Sequence, residues 1–320
     1  MTQLSDKDKK ILAELEHNSR QSFSEIAKRL KTSKEVINYR VKNLLKEGII
    51  IRFFTEINLA KLGMQVYKIC FQFQNVNFKK EEEMYNYFIH ELKIPWIISC
   101  SGKYDMIMSF GAHDINDFDH YLTRIMNKFS DYILNKEIST TLFFMTFDRR
   151  WINNEKEISH TTVGGDIEKN LLDNKDREIL VGLSNHSRIQ IIELANKLNL
   201  TSGAVINRIK SLEKKGVINR YRLGLSYKKL GKEFCKAFVY LTNKTSEEEK
   251  KLINYVESLP QIFTIIKCVG SWDLEFEFLV DNFPEFHDIM RQIKNRFNIV
   301  RGYESVIISK EYGINYFNFI

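Results

Sequence analysis

The chain has 320 residues, 43% of them hydrophobic and 28% charged, with a formal net charge of +7 and four cysteines. That length holds two or more domains of ordinary size. No apolar run is long enough to cross a bilayer, and the opening MTQLSDKDKK has no apolar leader, so a soluble cytoplasmic protein is expected and a membrane partner is not.

In chain order, Asp6 to about His17 reads as an amphipathic helix capped by Ser5, with Ile11, Leu12 and Leu15 inward. Ser22-Phe-Ser-Glu25 reads as a capping box opening a second helix through Ile26, Ala27 and Leu30. The third helix is SKEVINYRVKNLLKEG, Ser33 to Gly48: a hydroxyl cap, a stripe of Ile37, Val41 and Leu44, and a glycine suited to the left-handed stop. An extended, hairpin-like segment follows from Ile49 to Ile57 and carries Arg52. Three helices and a hairpin predict a winged helix-turn-helix over residues 1–58.

Residues 64–148 then alternate strand and helix. Strands are expected at Val66–Phe73, Trp96–Ser101, Asp105–Phe110 and Glu137–Phe144, and helices at Lys80–Leu92 and Ile115–Phe129. That βαββαβ order is the ferredoxin-like arrangement. Its strands are apolar on both faces, as in Ile97-Ile98 and Phe143-Phe144, so a second sheet is expected to cover the open face. Residues 149–170, polar and holding Gly164-Gly165, read as a flexible linker.

The pattern then repeats without a gap at an offset of 168 residues. Leu4, Asp8, Ile11 and Leu15 match Leu172, Asp176, Ile179 and Leu183; Ser19-Arg20 matches Ser187-Arg188; Gly102 and Asp105 match Gly270 and Asp273. A second winged helix-turn-helix is expected over 171–226, with TSGAVINRIKSLEKKG as its third helix and Arg220 and Arg222 on its extended segment. A second ferredoxin-like domain is expected over 233–320. The fold class is therefore α+β, two winged helix-turn-helix domains each followed by a ferredoxin-like domain.

Residues 1–55 hold 12 basic and 7 acidic side chains and residues 171–222 hold 10 and 5. Each segment thus carries a net +5 and the rest of the chain a net −3. Positive charge sits where the third helices sit, which points to a polyanion such as double-stranded DNA. Candidate DNA-binding residues are Lys34, Asn38, Tyr39, Arg40, Lys42 and Arg52 in the first copy. In the second they are Ser202, Asn207, Arg208, Lys210, Arg220 and Arg222. Arg40 and Arg208 are set against guanine or phosphate, with a solvated or intramolecularly paired side chain as the alternative; the asparagines suit adenine, with plain exposure as the alternative. The lysines suit counterion release and the arginines of the extended segments suit phosphate or minor groove. Glu35 would oppose phosphate.

These pieces together resemble the Lrp/AsnC (feast/famine) transcriptional regulators. LSDKDKKIL and LDNKDREIL, ELANKLNLTSGAVINRIKSLEKKGVI, and the turns Gly102-Lys-Tyr-Asp105 and Gly270-Ser-Trp-Asp273 carry the resemblance. It implies sequence-specific DNA binding, pairing of the second domains through their sheets, and an amino acid or similar effector near the Gly-x-aromatic-Asp turn. The candidate effector residues are Gly102, Tyr104, Asp105, Thr140, Thr141, Gly270, Trp272 and Asp273. For the two aspartates, turn capping is the alternative; for Tyr104 and Trp272, interface packing. The family normally carries one unit per chain, so two fused units imply an intrachain pseudo-dimer, pairing between chains, or both.

No catalytic constellation stands out, the seven histidines form no metal-ligand pattern, and no cofactor is expected. The cysteines, Cys70, Cys100, Cys235 and Cys268, make no CxxC pair and read as reduced, buried thiols; a redox role for the matched Cys100 and Cys268 is the alternative. A non-enzyme is expected. The alternative is an enzyme like the siroheme decarboxylases, which resemble paired units of this kind but carry a His-Tyr-Asn type motif where this chain has Gly-Lys-Tyr-Asp and Gly-Ser-Trp-Asp.

Overall fold

The computed structural model describes residues 4–152, 157–168, 170–242 and 245–312. Residues 153–156 and 169 of the expected linker, and 313–320 of the expected last domain, lie outside the described residues.

The first unit runs α1 (Asp6–His17), α2 (Phe23–Arg29), α3 (Lys34–Lys46), β1 (Ile50–Ile57), β2 (Gln65–Phe73), α4 (Phe78–Asn86), β3 (Trp96–Gly102), β4 (Met106–Ala112), α5 (Ile115–Phe129), β5 (Ile133–Phe147) and β6 (His160–Gly164). The second runs α6 (Asn174–Asn185), α7 (Ile191–Leu198), α8 (Ser202–Lys214), β7 (Ile218–Leu225), β8 (Glu233–Leu241), α9 (Ser246–Ser258), β9 (Ile262–Gly270), β10 (Leu274–Val280), α10 (Phe283–Arg296) and β11 (Val300–Tyr312).

Caps set the helix-module geometry. Ser33 accepts from the Val36 amide and Thr201 from the Ala204 amide, each satisfying an orphan donor of the first turn. Ser22 and Glu25 form the full capping box. Gly48 and Gly216 stop α3 and α8 at φ +65° and +68°, a region where a Cβ is strained. Each module buries its own cluster: Ile11, Leu15, Ile37 and Val41 in the first, Ile179, Leu183, Val205 and Ile209 in the second.

The strand after each third helix differs from the hairpin expected. β1 does not fold back on itself; it pairs antiparallel with β7 of the other unit. Phe54 lies opposite Arg222, and these two occupy the same position of the repeat, so the pseudo-two-fold axis passes between them. An exposed strand edge is a template for another strand, and here the nearest complementary edge belongs to the duplicate.

The two ferredoxin-like sheets, with strand orders β3-β4-β2-β5 and β9-β10-β8-β11, also meet at their edges. β5 pairs with β9 and β11 with β3, so eight strands close into a barrel. Covering of one sheet face by the other is thus achieved by closure, which removes the edges as well. Strand residues alternate accordingly. Tyr67, Ile69 and Phe71 of β2 pack under α4 and α5, whereas Cys70, Ile98, Ile107, Phe238, Ile266 and Trp272 fill the interior. That alternation explains strands apolar on both faces.

The interior also holds charge. Lys236 Nζ lies 2.7 Å from Glu275 Oε2 and 2.8 Å from Glu277 Oε1, and Lys68 pairs with the same Glu275 oxygen. All four are buried.

The expected flexible linker is in large part ordered. His160–Gly164 adds to β5 as β6, and the amides of Glu168 and Asn170 donate to the carbonyls of Ala60 and Lys61 at 2.8 and 3.1 Å. Arg149 is buried against Glu16, the Leu223 carbonyl and the Tyr227 hydroxyl. Composition alone did not separate this segment from a loose connection, because its ordering comes from strand and carbonyl partners far away in sequence.

Candidate nucleic-acid interface

α3 and α8 each turn one face to their module core and the other outward. On α3, Lys34, Tyr39, Lys42, Leu45 and Lys46 are exposed, and Asn38 is half-buried. On α8, Ser202, Ile206, Asn207, Lys210 and Lys214 are exposed, as is the C-cap Lys215. Tyr39 is 67% exposed on the outward side of α3. Glu35 is exposed in the first turn of α3, where burden of negative charge falls on one copy only; its counterpart in α8 is Gly203.

The matched arginines are placed differently from the expectation that they contact DNA freely. Arg40 Nη1 donates to Asp8 Oδ1 at 3.0 Å and to Ser5 Oγ at 3.1 Å. Arg208 Nη1 donates to Asp173 and Asp176, both at 2.7 Å. Each arginine therefore ties its recognition helix back to the first helix of its own module. Hydrogen bonds to Asp176 and Asp173 hold the Arg208 guanidinium above its ordinary pKa. The sequence carried the signal: Asp8 and Asp176 recur at the same offset as Arg40 and Arg208.

The arginines of the extended segments are turned inward, which corrects their assignment to phosphate or minor groove. Arg222 is 2% exposed, with Nη2 3.5 Å from Glu16 and Nη1 3.6 Å from Glu56. Arg220 pairs with Asp148 at 2.7 Å and donates to the carbonyls of Glu16 and His17. Arg52 lies 3.9 Å from Glu311 and over the Phe54 ring. The physical reason is the ribbon: once β1 and β7 pair, these side chains point at the barrel or at the opposite module.

The expected effector residues are brought together only in part. Tyr104 and Trp272 are 1% and 2% exposed and meet Phe238 edge-on inside the barrel, so they pack and do not face a ligand from outside. Asp105 accepts from the Phe73 amide and Asp273 from the Leu241 amide, each at 2.7 Å, so each ties its turn to the end of a strand 32 residues away. Gly102, at φ +132°, approaches so closely that a Cβ would stand 2.5 Å from the Ser305 carbonyl oxygen; Gly270 stands likewise 2.7 Å from that of Ile138. These glycines are joints where β11 and β5 cross. Thr140 is half-buried on β5, and Thr141 is buried and lines a separate cavity between the β1–β7 ribbon and the barrel.

The four cysteines are buried and unpaired. Burial pushes the thiols of Cys100, Cys235 and Cys268 up to about 12 and that of Cys70 well above its ordinary value. Among the described residues, no group of three or more His, Cys, Asp or Glu side chains is placed to hold a metal ion. No helix among them is long and apolar enough to cross a membrane.

A family model described as winged helix-turn-helix DNA-binding matches the chain twice, over residues 4–51 and 172–219. An uncharacterised HTH-type transcriptional regulator of Pyrococcus furiosus is 30% identical over 145 residues, 44% of this chain and 93% of the relative. The HTH-type transcriptional regulator Ptr1 of Methanocaldococcus jannaschii is 33% identical over 115 residues, 36% of this chain and 76% of the relative. Each relative is thus about one unit long. Among solved structures, the siroheme decarboxylase NirDL superposes with a TM-score of 0.64 at 13% identity, over 98% of this chain and 94% of that one. At that identity the likeness is one of fold.

Proposed function

Because the chain belongs to the Lrp/AsnC family of winged helix-turn-helix transcriptional regulators, as two of the family's units in tandem, we propose that one chain does the work of a dimer: α3 and α8 enter major grooves together and read unequal half-sites. The supporting observation is the ribbon, in which β1 and β7 tie the two helix modules to each other across the pseudo-two-fold axis. Modules joined in this way bind with high effective concentration and without an assembly step.

The contact sets differ between the helices. α3 offers Lys34, Asn38, Tyr39 and Lys42; α8 offers Ser202, Ile206, Asn207 and Lys210. A symmetric dimer favours a palindrome, whereas two different reading faces favour an asymmetric site. Ile206 suits a thymine methyl group and Asn207 an adenine edge, while the lysines neutralise phosphates. Arg40 and Arg208 act as struts that fix how far each helix stands from its module. An electrophoretic mobility titration on operators selected from random duplexes tests this; affinity is expected to fall steeply with salt, and selected sites that are perfect palindromes would sink the unequal-half-site reading.

The likeness in fold to NirDL raises a second reading, an enzyme of tetrapyrrole chemistry. Two exposed lysine-bearing helices favour the first. A titration with siroheme that leaves its absorption spectrum unchanged removes the second.

A further inference from the structure

Between the ribbon and the end of the barrel lies a cavity of about 210 Å³. DNA reading makes no use of it. One wall is the ribbon, with Phe54 and Arg222 opposed across the pseudo-two-fold axis. The facing wall is the barrel interior, where Lys68 and Lys236 also occupy one repeat position.

Most of the charge in this cavity is already paired. Lys68 and Lys236 are held by Glu275 and Glu277, and Arg149 by Glu16 and Tyr227. Arg222 also lies within ion-pair distance of Glu16 and Glu56, but is less completely paired. Its side chain is buried, yet Nη1 makes no hydrogen bond, the nearest carboxylate oxygen being 3.6 Å away on Glu56. That carboxylate is engaged through its other oxygen by Thr161 and Asn219. A buried donor left without an acceptor costs about 1–3 kcal/mol, more when charged, and such a group in a native protein calls for an explanation. The rest of the wall is largely apolar, including Phe54, Trp96, Phe234, Phe263 and Ile266, with Ser109, Thr141, Thr146, Thr264 and the Arg52–Glu311 pair set into it. Apolar walls with one or two unsatisfied polar groups are how small-molecule sites are built, and the volume falls below the roughly 300–1,000 Å³ of sites for drug-sized ligands.

Arg222, Glu56 and Glu277, unlike Lys68 and Lys236, are not duplicated. The repeat equivalents of Arg222, Glu56 and Glu277 are Phe54, Gly224 and Ser109. A ligand on the axis therefore has one orientation and a stoichiometry of one per chain.

We propose that this cavity binds a small carboxylic acid with an aromatic or branched apolar body, its carboxylate accepting from Arg222 Nη1 and its body lying against Phe54, Phe263 and Trp96. Thr141 is the one residue of the sequence-derived effector set that lines this site. Because the ribbon wall also carries both helix modules, occupancy changes how the modules are held; that last step rests on the DNA-binding reading, whereas binding itself does not.

The test is calorimetric titration of the full-length protein, without DNA, using phenylacetate, 4-methylpentanoate and 2-phenylethylamine. The acids are expected to bind at one per chain and the amine not at all. Arg222→Lys is expected to weaken the acids by about 10- to 100-fold, the value of one charge-assisted hydrogen bond. Ser109→Phe, which fills the cavity from the opposite wall, is expected to abolish binding while the protein keeps its melting transition. Failure of both acids to bind at about 10 mM, equal binding of acid and amine, or a folded Ser109→Phe variant with unchanged affinity overturns the proposal. A failed titration leaves the DNA-binding reading standing, and a failed operator selection leaves this site standing.

Discussion

Ser19 Oγ lies 2.9 Å from Ser187 Oγ, and the two are the same residue of the repeat, 168 positions apart. Around them the contacts are reciprocal. Arg20 donates to the carbonyls of Ser187 and Ile189, and Arg188 donates to those of Ser19 and Gln21. Residue i touching j while j's counterpart touches i's is the mark of an isologous interface. Here the interface is internal to one chain.

Arg188→Ala removes both carbonyl bonds and the stacking of the guanidinium 4.2 Å over Phe23. A loss of about 1.5–3 kcal/mol is expected, and Arg20→Ala should cost a similar amount. Urea unfolding midpoints check this. A loss under about 0.5 kcal/mol for both variants would mean the module junction contributes little to the fold.

Asp8→Asn should affect DNA binding as Arg40→Ala does, because each releases the same strut between α1 and α3. The pair is partly exposed, so its contribution to stability is about 1 kcal/mol or less. Lys42→Ala and Lys210→Ala should instead reduce the slope of log affinity against log salt by about 1 each. Mobility titrations over a salt series separate the two classes. An Arg40→Ala variant that binds weakly beside an unaffected Asp8→Asn would return Arg40 to direct contact.

What the sequence disclosed was local. The caps at Ser5, Ser22, Ser33 and Thr201, the buried stripes of α3 and α8, and the strand-helix order of both ferredoxin-like domains are set by residues a few positions apart. What it withheld was set by partners far along the chain. Nothing near Arg222 announces Glu16 or Glu56, and β1 shows no sign of preferring β7 to its own hairpin. Lys68 and Lys236 were nevertheless open to notice: a lysine inside an apolar strand, repeated at the same position, marks a buried charge that needs an acid. Their acids, Glu275 and Glu277, exist in one copy only, so comparison of the repeats alone did not lead to them.

Glu275 titrates at about 2 in the folded protein, against an ordinary 4.5. Burial alone would raise it; the charges of Lys236 and Lys68, with their hydrogen bonds, outweigh burial and lower it. The unfolded chain therefore binds a proton more readily. The stability this carboxylate contributes is complete above pH 4.5 and is lost as pH falls toward 2. Glu275→Gln should lower stability by about 3–5 kcal/mol near neutrality, since it leaves Lys68 buried without its acid. The gap between the variant and the parent should narrow across the acid window in thermal melts. A gap that stays constant down to pH 2 would contradict the ion-pair account.

The four thiols should react slowly with iodoacetamide at pH 8 in the native protein and readily once unfolded, since burial keeps them protonated. Mass spectrometry of the alkylated protein reads this directly. Fast native labelling of Cys100 or Cys268 would reopen a redox role for that matched pair.

The most direct test of the account is footprinting of the full chain on a selected operator, with Lys42→Ala and Lys210→Ala in parallel. Two protected half-sites are expected, spaced by roughly one or more turns of 10–10.5 base pairs, with the α3 variant losing protection of one and the α8 variant of the other. Equal loss from both half-sites in either variant, or protection that does not change in either, would contradict it.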